Sequence, residues 1–350
     1  MIPNPQSALP LPARPDIEHY RKLAKKMVKA GDAEKLTGAQ FFLARTYGFE
    51  SWPKFVKHLE HLAKQSPVSR FEAAADAIVE GDIATLQRLL REDPKLIRAK
   101  STRIHGATLL HYVSANGVEG YRQKTPKNIV KIAKLLLDAG AEVDAAADVY
   151  GGGCTALGLA ATSVHPEKAG VQEALMETLL HAGADINLRS AGNGHSLVFA
   201  CLANGQPKAA RFLADRGARM GLAEAAGIGR LDVVKECFDA AGVDQRGDAL
   251  LYSCQYGRNE VVAFLLEHGA DLAAHSRDGQ TALHMAALGG QLETVKLLLR
   301  YNPPLEAANR YGGTVLGQTL WSAAHGGDPD VYSAIVDALM EAGARLPEQE

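Results

Sequence analysis

At 350 residues the chain is long enough for one elongated array or two compact domains. Hydrophobic residues make up 47% and aromatic ones only 6%, which suits Ala- and Leu-rich helices better than an aromatic β-sandwich. A formal net charge of −2 leaves no global field to attract nucleic acid, and no apolar run reaches membrane-spanning length.

The opening stretch MIPNPQSALPLPARP, residues 1–15, reads as a Pro-rich flexible leader. It lacks the charged and apolar regions of a secretory signal. Residues 16–66 form a locally basic unit, with 11 Lys and Arg against 6 Asp and Glu between Arg14 and Lys64. The pattern predicts three helices there. DIEHYRKLAKKMVKAG is amphipathic and stopped by Gly31, with Lys22, Lys25, Lys26 and Lys29 along a solvated face. TGAQFFLARTYGF ends at Gly48, and SWPKFVKHLEHLAK starts with Ser51 as N-cap and Pro53 in its first turn.

Beyond residue 66 one phrase recurs, a double leucine or its variant followed two residues later by Gly-Ala: LLDAGAEVDA, LLHAGADINL, FLADRGARM, LLEHGADLAA and LMEAGARLP. A degenerate copy is LLRYNPPLEA. The residues at the glycine position are 140, 183, 217, 242, 269, 302 and 343, spaced by 43, 34, 25, 27, 33 and 41 residues. A second phrase, TLLH, TALG, TALH or TVLG, stands upstream of several copies. In DGQTALHMAALGGQLETVKLLLR, Leu283, Ala286 and Ala287 recur at helical spacing. After a Gly-Gly break, Leu292, Val295, Leu298 and Leu299 form a second apolar stripe. Such a pair has too little core alone, and stacking makes the core continuous.

From Phe71 to Glu350 these phrases resemble ankyrin repeats, in about eight irregular copies around the 33-residue period. The 16–66 unit, with ARTYGFESWPKF, resembles a module found ahead of ankyrin repeats in bacterial proteins. The resemblance implies an all-α ankyrin-repeat solenoid over residues 67–350, a three-helix module capping its first repeat, and a bacterial source. It also implies that a protein partner is gripped in a concave groove by turn residues and inner-helix starts. In the usual motif the T-x-L-H histidine is a structural pin, a role that falls here to His111 and His284.

The stretch YGGGCTALG, Tyr150–Gly158, invites a phosphate-loop reading, but it lacks the lysine of a Walker loop and a preceding buried strand. Its glycines are expected to supply turn geometry. Gly158 and Gly317 both replace the pin histidine, and a packed aromatic is expected to fill the space. Insertions at 116–128, 162–174 and 325–334 are expected between inner and outer helices, on one rim of the groove. They bring Tyr121, Arg122, Lys124, His165, Trp321 and His325 there, while Arg103, His105, Tyr150 and Tyr311 belong to the turns. The alternative is a small-molecule or enzymatic pocket between the insertions of the second, third and last repeats, using His165 and His325. No catalytic, metal or cofactor set is visible in the order of residues. Cys154, Cys201, Cys237 and Cys254 are too dispersed for a zinc site or disulfide framework. The expectation is a cytoplasmic monomer that engages a protein partner, with neither nucleic acid nor membrane as ligand.

Overall fold

The computed structural model describes residues 7–12, 15–62, 64, 66–189, 194–326 and 328–346. It divides the chain into two compact units, Met1–Ala200 and Cys201–Glu350.

The first unit opens with α1 (Ile17–Ala30), α2 (Leu36–Thr46) and α3 (Trp52–Leu62). The Asp16 carboxylate accepts from the Glu18 N–H at the start of α1, and Gly31 ends it at φ 83°. Tyr20 and Ala24 turn inward against Ala39, Leu43, Phe55 and Leu59, and the four lysines of α1 stay exposed. The described part of the leader is seated on this module: Ala8 is buried and the Leu9 N–H donates to Thr46 O at 2.9 Å.

Helix pairs follow. The first is α4 (Pro67–Glu80) with α5 (Ile83–Glu92). The second joins a 3₁₀ segment, Leu109–Ser114, to α6 (Ile129–Asp138). The third comprises α7 (Ala156–Ala161), a short α8 (Val164–Lys168) and α9 (Gln172–His181). The helix α10 (Leu197–Ala203) crosses the boundary between units and precedes α11 (Pro207–Asp215). The second unit continues with α12 (Leu222–Ile228), α13 (Leu231–Phe238), α14 (Val243–Gln255) and α15 (Asn259–Glu267). It closes with α16 (Ala282–Leu288), α17 (Leu292–Leu299), α18 (Val315–Ala324) and α19 (Pro329–Glu341). Among the described residues these make eight inner and outer pairs, in keeping with the about eight copies expected of the all-α repeat fold. Among the described residues there is no strand, and isolated bridges at Lys100–Thr108, Ala147–Cys154 and His275–Thr281 close the turns.

Stacking makes one core of many small ones. In the second unit a single apolar cluster runs from Leu222 to Ala344, with Leu250, Val262, Leu283, Val295 and Leu316 nearly or wholly buried. Each such side chain contributes roughly 1.5–3 kcal/mol on burial. The histidine pins hold neighbouring pairs in register. His284 Nδ1 accepts from the Thr281 N–H, which leaves Nε2–H to donate to Gly313 O at 3.3 Å. His111 does the same between Thr108 and Cys154 O, at 3.2 Å.

Three details differ from expectation. The inner helix of the second pair is 3₁₀ and ends at Ala115, φ 48°. There Leu109 and Val113 occupy positions that are Ala282 and Ala286 in the regular seventh pair. The last insertion shrinks to a few residues, because Asp328 caps α19 and Pro329 starts it. Finally, a leucine rather than an aromatic fills the space at Gly158: a Cβ there would lie 3.2 Å from Leu197 Cδ2.

The glycine stretch turns the chain. Tyr150, Gly151, Gly152 and Gly153 have φ of 51°, 98°, 95° and 73°, and Thr155 then caps α7 by accepting from the Gly158 N–H. At Gly152 a Cβ would meet only Asp148 Oδ1, at 3.8 Å, so the cost of a side chain is conformational. Gly152→Ala is expected to destabilise the first unit by about 1–2 kcal/mol, read as a lower urea midpoint of its unfolding transition. An unchanged midpoint would contradict the left-handed turn.

Candidate functional site

Arg103 and His105 sit in the turn STRIHGA, closed by the Ser101 N–H donating to Ala107 O at 2.8 Å. This turn is folded against the N-terminal module. The Ile104 N–H donates to Gly48 O at 3.0 Å, Thr102 Oγ1 bonds His58 Nδ1 at 2.7 Å, and Arg103 Nη1 donates to Tyr47 O at 2.7 Å.

Behind the turn lies a buried ion cluster. Arg103 Nε pairs with Glu119 Oε1 at 2.5 Å, and Nη2 reaches Glu72 Oε2 at 3.3 Å and the Tyr121 hydroxyl at 3.2 Å. Arg122 Nη1 donates to Glu72 Oε2 at 2.8 Å and to Glu119 Oε1 at 3.2 Å, while its Nε holds Asp76 at 2.8 Å. His105 Nδ1 accepts from the Ala107 N–H, which places the ring hydrogen on Nε2, 3.6 Å from Glu119 Oε1. The guanidinium of Arg103 also lies over Phe49, and that of Arg122 over Tyr112 and Tyr121.

Burial alone would raise the Glu72 and Glu119 carboxyls, but Arg103 and Arg122 outweigh it and hold both below the usual carboxylate range. Burial likewise pushes the Tyr121 phenol up. His58 and His111, by contrast, are lowered by burial to about 4 and stay neutral. The cluster is therefore two guanidinium groups matched to two carboxylates.

Of the ten residues assigned to the rim and the turns from the sequence, Arg103, His105, Tyr121 and Arg122 come together here. Three of them lie inside the fold: Arg103 and His105 of the turn and Arg122 of the insertion are 4%, 1% and 4% exposed, because their polar atoms face internal partners. Tyr150 is exposed, with its hydroxyl donating to Asn116 Oδ1 at 2.7 Å. His165 is half-buried in α8, and burial, then Lys168, lowers its ring below the ordinary value. Lys124 is exposed and pairs with Glu80 at 2.6 Å. In the second unit Tyr311 and Trp321 are 74% and 61% exposed. His325 stacks on Trp321 with centroids 4.2 Å apart, and its Nδ1 bonds Trp321 O at 2.7 Å. Arg310 lies over the Tyr311 ring and pairs with Asp278 of the preceding turn at 2.6 Å.

Sequence reasoning missed Glu72, Glu119 and His58. Glu72 left a signal, because it shares a helix face with Ala75 and Val79, an apolar register that buries it. Glu119, inside an insertion, left none.

The histidines set a pH dependence. A ring at about 4 when folded and near its ordinary 6.5 when unfolded binds more protons in the unfolded chain between those values. Stability is therefore complete above about pH 6.5 and falls as pH drops toward 4, by about 3 kcal/mol for His111. The carboxylates Glu72 and Glu119, held low in the fold, act in the same direction on further acidification. Urea midpoints measured from pH 7 to 4.5 are expected to fall steadily. A flat or rising profile would contradict the buried neutral histidines.

With this geometry established, comparison with known proteins places the repeats. The family described as Ankyrin repeats (3 copies) matches residues 168–275 and 220–310. BCL-6 corepressor-like protein 1 of Homo sapiens is 33% identical over 117 residues, covering 31% of this chain and 7% of the relative. A putative ankyrin repeat protein of Acanthamoeba polyphaga mimivirus is 43% identical over 68 residues, covering 19% and 16%. Notch-regulated ankyrin repeat-containing protein A of Danio rerio is 41% identical over 73 residues, covering 19% and 58%. The chain thus spans less than a fifth of the length of the first two relatives. Together with the helix pairs and the Thr–His pins, the match identifies ankyrin repeats in this chain.

Proposed function

We propose that the chain is a protein-interaction module whose main contact surface lies on the turns and inner-helix side of the last two pairs in the second unit. The observation that carries this reading is the exposure of Trp321 and Leu320 on helix α18 and of Tyr311 in the turn before it. Large aromatics with arginine form the anchors of protein interfaces. Here Trp321 is held by its stack with His325, and Tyr311 by Arg310, which in turn is tied to Asp278. The side chains are thus pre-ordered, which lowers the entropy lost on binding. In the first unit, exposed Tyr150 on its glycine turn offers a second contact of the same kind.

Binding is favoured over chemistry because Arg103, His105 and Arg122 are engaged in internal pairing. The proposal includes a bacterial, cytoplasmic, monomeric protein whose 16–66 module caps the first repeat, a role supported by the contact of α3 with α4. Among the described residues no helix is long and apolar enough to cross a membrane.

The test begins with a partner captured from a bacterial lysate by the wild-type chain. Trp321→Ala is expected to weaken that complex at least about tenfold, with thermal midpoint and circular dichroism unchanged. Tyr311→Ala should give a smaller loss, and His165→Ala none. Undiminished affinity in both aromatic variants would overturn the reading.

A further inference from the structure

Within the first unit, between α3, the start of α4 and the 101–106 turn, lies a cavity of about 580 Å³. That is the size of sites for small organic molecules. Its α3 wall is Lys54, Lys57, His58 and His61, a set at positions i, i+3, i+4 and i+7 that shares one helix face. Val68, in the first turn of the 14-residue helix α4, belongs to the same lining. A helix N-terminus favours negative charge.

One residue of the lining carries an unfinished polar group. His58 is 1% exposed, its Nδ1 is bonded to Thr102 Oγ1, and its Nε2 has no protein partner. Leaving a buried donor or acceptor unsatisfied costs stability, and a ligand group can recover that cost. Of the lining charges, Lys54 is paired with Glu50 and Arg103 with Glu72 and Glu119. Lys57 is exposed, and a single further carboxylate, Asp148, joins the lining. The α3 wall therefore offers donors and positive charge, which suit an oxyanion.

We propose that this cavity binds a small molecule bearing a carboxylate or phosphate group, which takes its hydrogen bonds from His58 Nε2 and the Lys57 ammonium. The site is separate from the aromatic surface of the second unit, and each stands without the other.

The test uses the full-length chain labelled with ¹⁵N-histidine, titrated at constant ionic strength with inorganic phosphate in one arm and acetate in the other. The His58 and His61 ring resonances are expected to shift and saturate with one common affinity in at least one arm. A response to phosphate alone assigns the phosphate class, and a response to acetate alone or to both assigns a site that takes carboxylate. Lys57→Gln, at an exposed position, should keep the fold and weaken that affinity at least about fivefold. His58→Gln, which preserves a donor, should bind more tightly than His58→Leu. Ring resonances that do not saturate in either arm, or an affinity unchanged by Lys57→Gln, would overturn the proposal.

Discussion

Two guanidinium groups and two carboxylates share one dry site in the first unit, and much else follows from that constraint. Removing an ion from water costs several kcal/mol, and the loss is recovered only when each charge meets its partner at close range. Glu72 is on α4, Arg103 on the turn after the first pair, and Glu119 and Arg122 in the insertion of the second pair. None of these elements can leave without exposing or stranding a charge. Because Arg103 also binds Tyr47 O, the N-terminal module is drawn into the same condition.

The insertion of the second pair is thereby explained without appeal to a ligand. Its Gly120–Arg122 turn delivers Arg122 to Glu72, and Lys124 extends the contact to Glu80 at the surface. The third pair's insertion is tied down differently. The Gln172 amide donates to the carbonyls of Ala160, Ala161 and Ser163, which fixes α8 in place. In the second unit the repeats are more regular and rely on apolar packing and the His284 pin. The aromatic side chains left over there, Tyr311 and Trp321, are not needed for that core, and so are available for another molecule.

The architecture was legible because its signals are local. Periodicity located the helix pairs, Gly31 marked the end of α1, and the resemblance of the T-x-L-H phrase implied the pinning role of His111 and His284. Even the glycine turn at 151–153 could be assigned by what it lacks. The site was less legible because residue type predicts burial poorly for charges. Arg103, His105 and Arg122 look like surface contacts until long-range pairing brings Glu72 and Glu119 to them. The K-x-x-K-H-x-x-H spacing from Lys54 to His61 was present in the sequence. Its meaning depended on a turn about 40 residues away, which only the fold supplies. Gly158 shows the same limit: a missing pin was readable, but its replacement by Leu197 was not.

The central claim is that this buried cluster makes the module and the first two helix pairs one cooperative piece. Amide hydrogen exchange of the wild-type chain and of Glu119→Gln tests it directly, because the substitution keeps the shape and removes one charge. The account predicts that protection falls together, by a similar factor, across α1, α2 and α3 and across residues 100–122. Loss confined to 100–122, with Ile17–Leu62 as protected as in the wild type, would contradict it.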